Sequence, residues 1–305
     1  MKKDKKFTQV KIKSEKSILF YLSKLFVIIL CIAACSLLIV SVEAANTKEK
    51  ALSQNNYQQI KVYAAGRQIL EDQTPLIDSV TYVPLRAYSE IMGAQSVEWN
   101  AKTRTATVKK DGVTVKVTDG TSFVDASGRI FFCPTAIRNI NDRLYVPIRA
   151  LSSALSLDVE WDASTRSVLV SESQSAFVSG DNFYNSNDLY WLARIINAEA
   201  EGEPFLGKIA VGNVVINRKN SPSYPNSRYG VIFDRKYGTQ FSPVSIGTIY
   251  KTPSAESVLA AKICLEGYSL SEDILFFVNP RYATSNWIER TRPYVFTIGG
   301  HKFYK

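Results

Sequence analysis

The segment Asn197-Ala198-Glu199-Ala200-Glu201-Gly202-Glu203-Pro204 gathers carboxylates between two stretches of helical apolar spacing. Leu189, Leu192, Ala193, Ile196 and Ala200 recur at that spacing behind the capping types Ser186, Asn187 and Asp188, while Gly202 and Pro204 mark a stop and a restart. Glu199 is therefore expected in the last turn of a helix. The negative end of the helix dipole and burial in a cleft both disfavour a carboxylate there, so its pKa should rise. A Glu that holds its proton near neutral pH can protonate the leaving oxygen of a glycosidic bond. The same acids would also serve as an ordinary solvated helix end, and the motif alone leaves that reading open.

Other chemistry is scarce. His301 is the single imidazole in the chain, which is too little for a zinc amidase or peptidase, and no CxxC or HExxH spacing compensates. Neither metal nor cofactor is expected. Cys31 and Cys35 fall in a leader, so a disulfide framework is excluded. Cys133 and Cys264 read as small buried residues; Cys264 lies in an apolar helical run, which argues against a nucleophile paired with His301.

Elements able to hold Glu199 in place follow it directly, since Ile209, Ala210, Val211, Val214, Val215 and Ile216 are dense enough for a core helix. Upstream, Tyr82-Val83-Pro84-Leu85-Arg86-Ala87 returns as Tyr145-Val146-Pro147-Ile148-Arg149-Ala150, and Val97-Glu98-Trp99-Asn100 returns as Val159-Glu160-Trp161-Asp162. Each unit reads as a strand, a short helix opened by Pro and a strand pair, giving an α+β domain of two related half-repeats. Arg86, Arg149, Trp99 and Trp161 either pin each helix to its strands or touch glycan or an anionic wall polymer. Their recurrence in both units favours pinning.

The chain of 305 residues suits two domains. Residues 1–44 form an expected signal peptide or membrane anchor, with a basic flank, an apolar run over Leu25 to Val40 and the small-residue site Val42-Glu43-Ala44. Cys35 within Ile32-Ala33-Ala34-Cys35 leaves a lipoprotein open as well. Export is expected, with membrane contact only through an uncleaved leader or a lipid anchor. The leader carries +5 of the formal +9 charge, and the mild remainder shows no basic stripe with interleaved aromatics that would suit nucleic acid. Residues 173–187, rich in Ser, Asn and Gly, read as a linker.

Two resemblances extend this reading. Residues 57–172, through the paired Tyr-Val-Pro-Leu/Ile-Arg-Ala and Val-Glu-Trp-Asn/Asp segments, resemble the copper amine oxidase N-terminal-like, or stalk, domain. The absence of His from the module argues against copper. Residues 188–305 resemble the cell wall hydrolase family of spore-cortex-lytic enzymes through Ala198-Glu199-Ala200-Glu201-Gly202-Glu203-Pro204, Asn217-Arg218, Gln240-Phe241-Ser242-Pro243, Phe277-Val278-Asn279-Pro280 and Ala283-Thr284-Ser285-Asn286-Trp287. Many relatives carry Arg where Glu201 stands.

The second resemblance implies a mainly helical, lysozyme-like catalytic domain that cleaves peptidoglycan glycan strands between N-acetylmuramic acid and N-acetylglucosamine. Glu199 occupies its catalytic position. Only Glu203 is a nearby second acid, and we read it as the first-turn acid of the next helix, with a substrate role as the alternative. One carboxylate suffices for a lytic transglycosylase, whereas ordinary glycosidases use two. A hydrolytic muramidase or glucosaminidase and a non-enzymatic wall-binding protein are the competing readings. Gln240, Asn279, Thr284 and Ser285, on loop-like stretches, and the aromatics Phe241 and Trp287 are the expected sugar contacts. The stalk would hold the cell wall surface.

Overall fold

Alternating Val residues build the clearest strands of the N-terminal region, and the turn between two of them needs positive φ. The computed structural model describes residues 57–236 and 238–305; the leader expected over residues 1–44 lies outside them. A five-stranded antiparallel meander runs β5 (Ser96–Asn100), β6 (Thr105–Lys110), β7 (Val113–Thr118), β8 (Phe123–Ala126) and β9 (Arg129–Phe132). Asp111 and Gly112 join β6 to β7 with φ of 48° and 80°, the pairing a tight hairpin of right-handed strands favours.

The recurrent segments meet each other. β4 (Val80–Pro84) and β11 (Arg143–Pro147) pair antiparallel with Val83 opposite Val146, flanked by β3 (Leu76–Ile77) and β10 (Arg138–Ile140). Each opens a short helix at its Pro, α1 (Leu85–Ile91) and α2 (Ile148–Ala154), because Pro has no N–H to lose at a helix start. The buried Tyr88 hydroxyl meets Ser152 Oγ at 2.5 Å and ties the two helices together. β12 (Leu157–Asp162) and β13 (Ser167–Glu172) form a hairpin to which β1 (Lys61–Ala64) adds in parallel, with β2 (Arg67–Ile69) beyond it.

The segment 173–187, expected as a linker, is mostly exposed and is anchored at Gly180 and Tyr184. Its helix α3 (Gly180–Phe183) abuts the β8–β9 turn, where the Gly180 N–H donates to Ser127 O at 3.0 Å. Two aromatic side chains of this polar stretch make its main side-chain contacts. Phe183 lies 3.7 Å from the Arg129 guanidinium, and the Tyr184 hydroxyl donates to Glu266 at 2.6 Å while accepting the Ile130 N–H at 3.1 Å.

The C-terminal part packs α4 (Ser186–Ala200), α5 (Phe205–Asn220) and α8 (Ala255–Leu265) around one core, to which α6 (Arg228–Ile232) adds Val231 and Ile232 and α7 (Ser242–Ile246) adds Val244, while α9 (Trp287–Thr291) buries no residue in it. Leu192, Ile195, Ile209, Val214 and Ile263 are fully buried, each worth roughly 1.5–3 kcal/mol against exposure. A Cβ at Gly212 would stand 2.6 Å from Cys264 Sγ and 2.9 Å from Ile196 Cδ1, so this glycine lets the three helices approach closely. Cys264 is core, and burial pushes its thiol up to about 12, which rules it out as a nucleophile.

A three-stranded antiparallel sheet, in the order β14 (Phe276–Val278), β16 (His301–Tyr304), β15 (Tyr294–Ile298), completes the fold; the sequence pattern did not announce it. β9 bridges the two regions: Ile130 sits in the C-terminal core, Phe132 meets Tyr268 at 4.4 Å, and Arg129 grips Glu266 through bonds of 3.0 and 2.6 Å.

Candidate active site

α4 delivers Glu199 in its last turn, the chain swings through Glu201 and Gly202, and α5 restarts at Phe205 behind Pro204. An open cleft of about 850 Å³ lies against this turn, lined among others by Glu199, Glu203, Phe277, Asn279, Tyr282 and His301. Burial pushes the Glu199 carboxyl up to about 7, against the opposing pull of the Arg218 guanidinium. Desolvation wins over the cation. The carboxyl therefore holds its proton near neutrality while facing a cleft, which is what a general acid requires.

Arg218, in the last turn of α5, was not singled out from the sequence. It is 5% exposed, donates Nε–H to Leu275 O at 2.7 Å, and lies 5.1 Å from the ring centres of both Tyr224 and Phe241, while its Nη1 has no hydrogen-bond partner. Burial lowers its pKa, with Tyr224, Asp234 and Glu199 opposing. A signal was present: helical spacing puts Arg218 on the face of Val211, Val214 and Val215, and a cation on a core face demands electrostatic partners.

Glu203 departs from the expected first-turn position, since it precedes the helix cap at Pro204. Its carboxylate accepts the Gly300 N–H at 2.9 Å and lies 3.7 Å from His301 Nδ1, a buried imidazole whose pKa burial pushes down while Glu203 pulls it up. The turn Gly299-Gly300 must be glycine-rich: Gly299 has φ of +56°, and a Cβ on it would collide with the Glu203 carboxylate. Glu203 thus clamps the β15–β16 turn to the α4–α5 turn and closes one wall of the cleft.

Of the other expected contacts, Asn279 lines the cleft beside these groups. Thr284 and Ser285 stand exposed on the loop that follows Tyr282, where Ser285 Oγ accepts the Trp287 N–H at 3.2 Å. Trp287 is 46% exposed, edge-on to Phe276 at 6.2 Å, so it is no core anchor, and Gln240 is half-buried on the loop before α7. None of these four lines the cleft. Phe241 is corrected: at 2% exposure it packs against Phe277 and Arg218 behind the site and has no face free for a sugar. Asn217 is structural, its amide bonding Ser271 O and Ile274 O at 2.9 and 3.0 Å.

Comparison with known proteins places both halves of the chain in known families. The family model for the copper amine oxidase N-terminal domain matches residues 63–170, and the cell wall hydrolase model matches residues 202–304. A spore cortex-lytic enzyme of Bacillus cereus is 31% identical over 189 residues, covering 56% of this chain and 71% of that protein. The chain belongs to the spore cortex-lytic enzyme family. The Bacillus subtilis member is 40% identical over 120 residues, covering 39% of this chain and 38% of its own length. Among solved structures, the catalytic domain of the germination-specific lytic transglycosylase SleB from Bacillus anthracis is 39% identical and covers 40% of this chain and 97% of its own, with a TM-score of 0.37.

The raised Glu199 pKa makes a general-acid role testable. A Glu199 that acts as general acid works in its protonated form, so kcat/KM should be level on the acid side and fall about tenfold per pH unit above the pKa, near pH 7. Initial rates of turbidity loss in peptidoglycan suspensions between about pH 3 and 9 check this; a profile that instead falls on the acid side below about pH 5 and stays level above it would mean that Glu199 works as an ordinary ionised carboxylate.

Proposed function

We propose that the protein is a peptidoglycan-cleaving lytic transglycosylase of spore cortex degradation, exported or placed in the spore envelope, with Glu199 as its single catalytic residue. The observation that carries the reading is a cleft-facing Glu, in the last turn of α4, held in its acid form near neutral pH by burial. Glu199 protonates the glycosidic oxygen between N-acetylmuramic acid and N-acetylglucosamine as the bond to muramic C1 breaks. The resulting carboxylate then takes the proton of the muramic C6 hydroxyl while that oxygen closes on C1, giving a 1,6-anhydro ring and returning Glu199 to its acid form. Bond-making and bond-breaking balance without water. Asn279 and Tyr282 offer an amide and an exposed ring beside the acid for the sugars, and Gln240, Thr284, Ser285 and Trp287 would meet the strand beyond the cleft.

Glu203 supports the competing hydrolytic reading, since it shares the cleft. Its engagement by the Gly300 N–H and its nearness to His301 favour a clamp over a base that activates water. Product analysis decides. Muropeptides released from purified cortex should end in 1,6-anhydromuramic acid, one water lighter than hydrolytic ends and resistant to borohydride, and a chelator should leave the rate unchanged. Reducible ends as the dominant first products would assign the chemistry to hydrolysis.

We further read residues 57–172 as a stalk of two related halves, residues 173–187 as its connection and residues 188–305 as the catalytic domain. The like order of strand, helix and strand pair in β4-α1-β5-β6 and β11-α2-β12-β13 supports the two halves. The stalk would hold the wall while the catalytic domain cuts it.

A further inference from the structure

The same groove occurs twice on the N-terminal region. In one, Leu85 and Arg86 at the start of α1 face Trp99 of β5 across Ala106, enclosing about 390 Å³. In the other, Ile148 and Arg149 at the start of α2 face Trp161 of β12 across Val168, enclosing about 480 Å³. Strand register makes the two equivalent, for Trp99 stands opposite Ala106 and Trp161 opposite Val168. Volumes of this order suit small-ligand sites.

The tryptophans, expected from their recurrence to pin each half, are covered only in part by the fold. They remain 45% and 42% exposed, whereas Ala106 and Val168 beneath them are buried. Among the described residues Arg86 pairs with Glu90 of its own helix at 3.6 Å, both side chains being exposed, and Arg149 makes a long bond of 3.4 Å to Val159 O. An indole half out of water leaves part of its ring surface for another molecule to cover. Two such indoles, each beside an arginine and over an apolar floor, make two places for a ligand with one apolar face and hydrogen-bonding edges.

A pyranose ring has that character: its axial C–H groups pack on an aromatic face and its hydroxyl and acetamido groups bond to charged side chains. A phosphate polymer suits only one of the two: Glu90, Glu98 and Asp142 stand against Arg86 and Arg143 around the first groove, whereas the second is lined by Arg149 and Arg166 with no acid. A neutral sugar face fits the indole and apolar floor that both share. We infer that the twin grooves bind the glycan strands of peptidoglycan, one sugar face stacked on Trp99 and another on Trp161. Arg86 and Arg149 bond the ring substituents. The inference rests on peptidoglycan as the substrate of the cleft and defines what the stalk contributes, because two weak sites on one chain raise the residence of the enzyme on a repetitive polymer.

The test uses the full chain carrying Glu199→Gln, so that the ligand survives, in co-sedimentation with purified sacculi stripped of phosphate polymers. Trp99→Ala and Trp161→Ala should each weaken binding about tenfold, and the double substitution about a hundredfold. With Glu199 intact, the double variant should cleave short soluble glycan oligomers at the parent rate while losing rate on sacculi. Parental sacculus binding by the double variant, with unchanged circular dichroism, overturns the proposal. So does binding that is seen only on unstripped walls, which would assign the grooves to the phosphate polymer. A parent chain that binds sacculi through these tryptophans yet cuts no glycan would overturn the catalytic reading and leave the grooves standing.

Discussion

Glu199→Gln is expected to lower cleavage of peptidoglycan by between about 10² and 10⁴ while leaving fold and wall binding in place. The amide keeps the shape of the acid and cannot transfer the proton, so the loss appears in kcat with KM little changed. Stability moves the other way. Because burial raises the folded-state pKa of Glu199 to about 7, above its unfolded value of 4.5, its contribution to stability is full below pH 4.5 and is lost as pH rises through about 7. The neutral amide escapes that loss, and the variant should melt at or above the parent temperature at pH 8. Turnover within a few-fold of the parent would sink the assignment. If Glu203→Gln were the inactive variant, and Glu199→Gln active, the acid roles would have to be exchanged.

Arg129→Met should be the most destabilising single change outside the cleft. The Arg129 and Glu266 side chains are 18% and 6% exposed and joined by two bonds, so removing the cation leaves Glu266 buried with Tyr184 as its remaining partner. Breaking such a pair costs about 3–5 kcal/mol, or about 10 °C in Tm for a body of this size. Replacing both partners, as in Arg129→Met with Glu266→Leu, should recover part of the loss, since no charge is then stranded. Calorimetric scans of the three proteins measure it. A shift below about 2 °C for the single variant would make the pair a surface contact and remove the main polar link between the β-rich region and the catalytic part.

Glu199 was legible because its signals are local. Helical spacing of Leu192, Ile196 and Ala200, the stop at Gly202 and the restart at Pro204 put an acid in a last turn, and α4 ends at Ala200. The recurrence of Tyr-Val-Pro-Leu/Ile-Arg-Ala likewise announced the strands and helices that carry it, because a Pro at a helix start and a strand before it are decided within a few residues. Cys264 and Asn217 were readable as core residues by the same periodicity.

What the sequence left open depends on atoms far apart along the chain. The cleft beside Glu199 is completed by the loop at Asn279 to Tyr282 and by His301 of β16, and local spacing says nothing about neighbours some 80–100 positions away. Phe241 read as a sugar platform because an aromatic beside polar residues suits either a groove or a core, and only its packing on Phe277 and Arg218 decided for the core. Glu203 read as a helix-dipole acid, and the return of Gly300 to its carboxylate made it a clamp. The polar 173–187 segment became a bridge because Arg129 and Glu266 supplied partners for Phe183 and Tyr184. The sequence by itself determined which acid stands at a helix end and where the helices beside it stop and restart; the tertiary structure decided which side chains lose water, and desolvation is what raises the pKa of that acid.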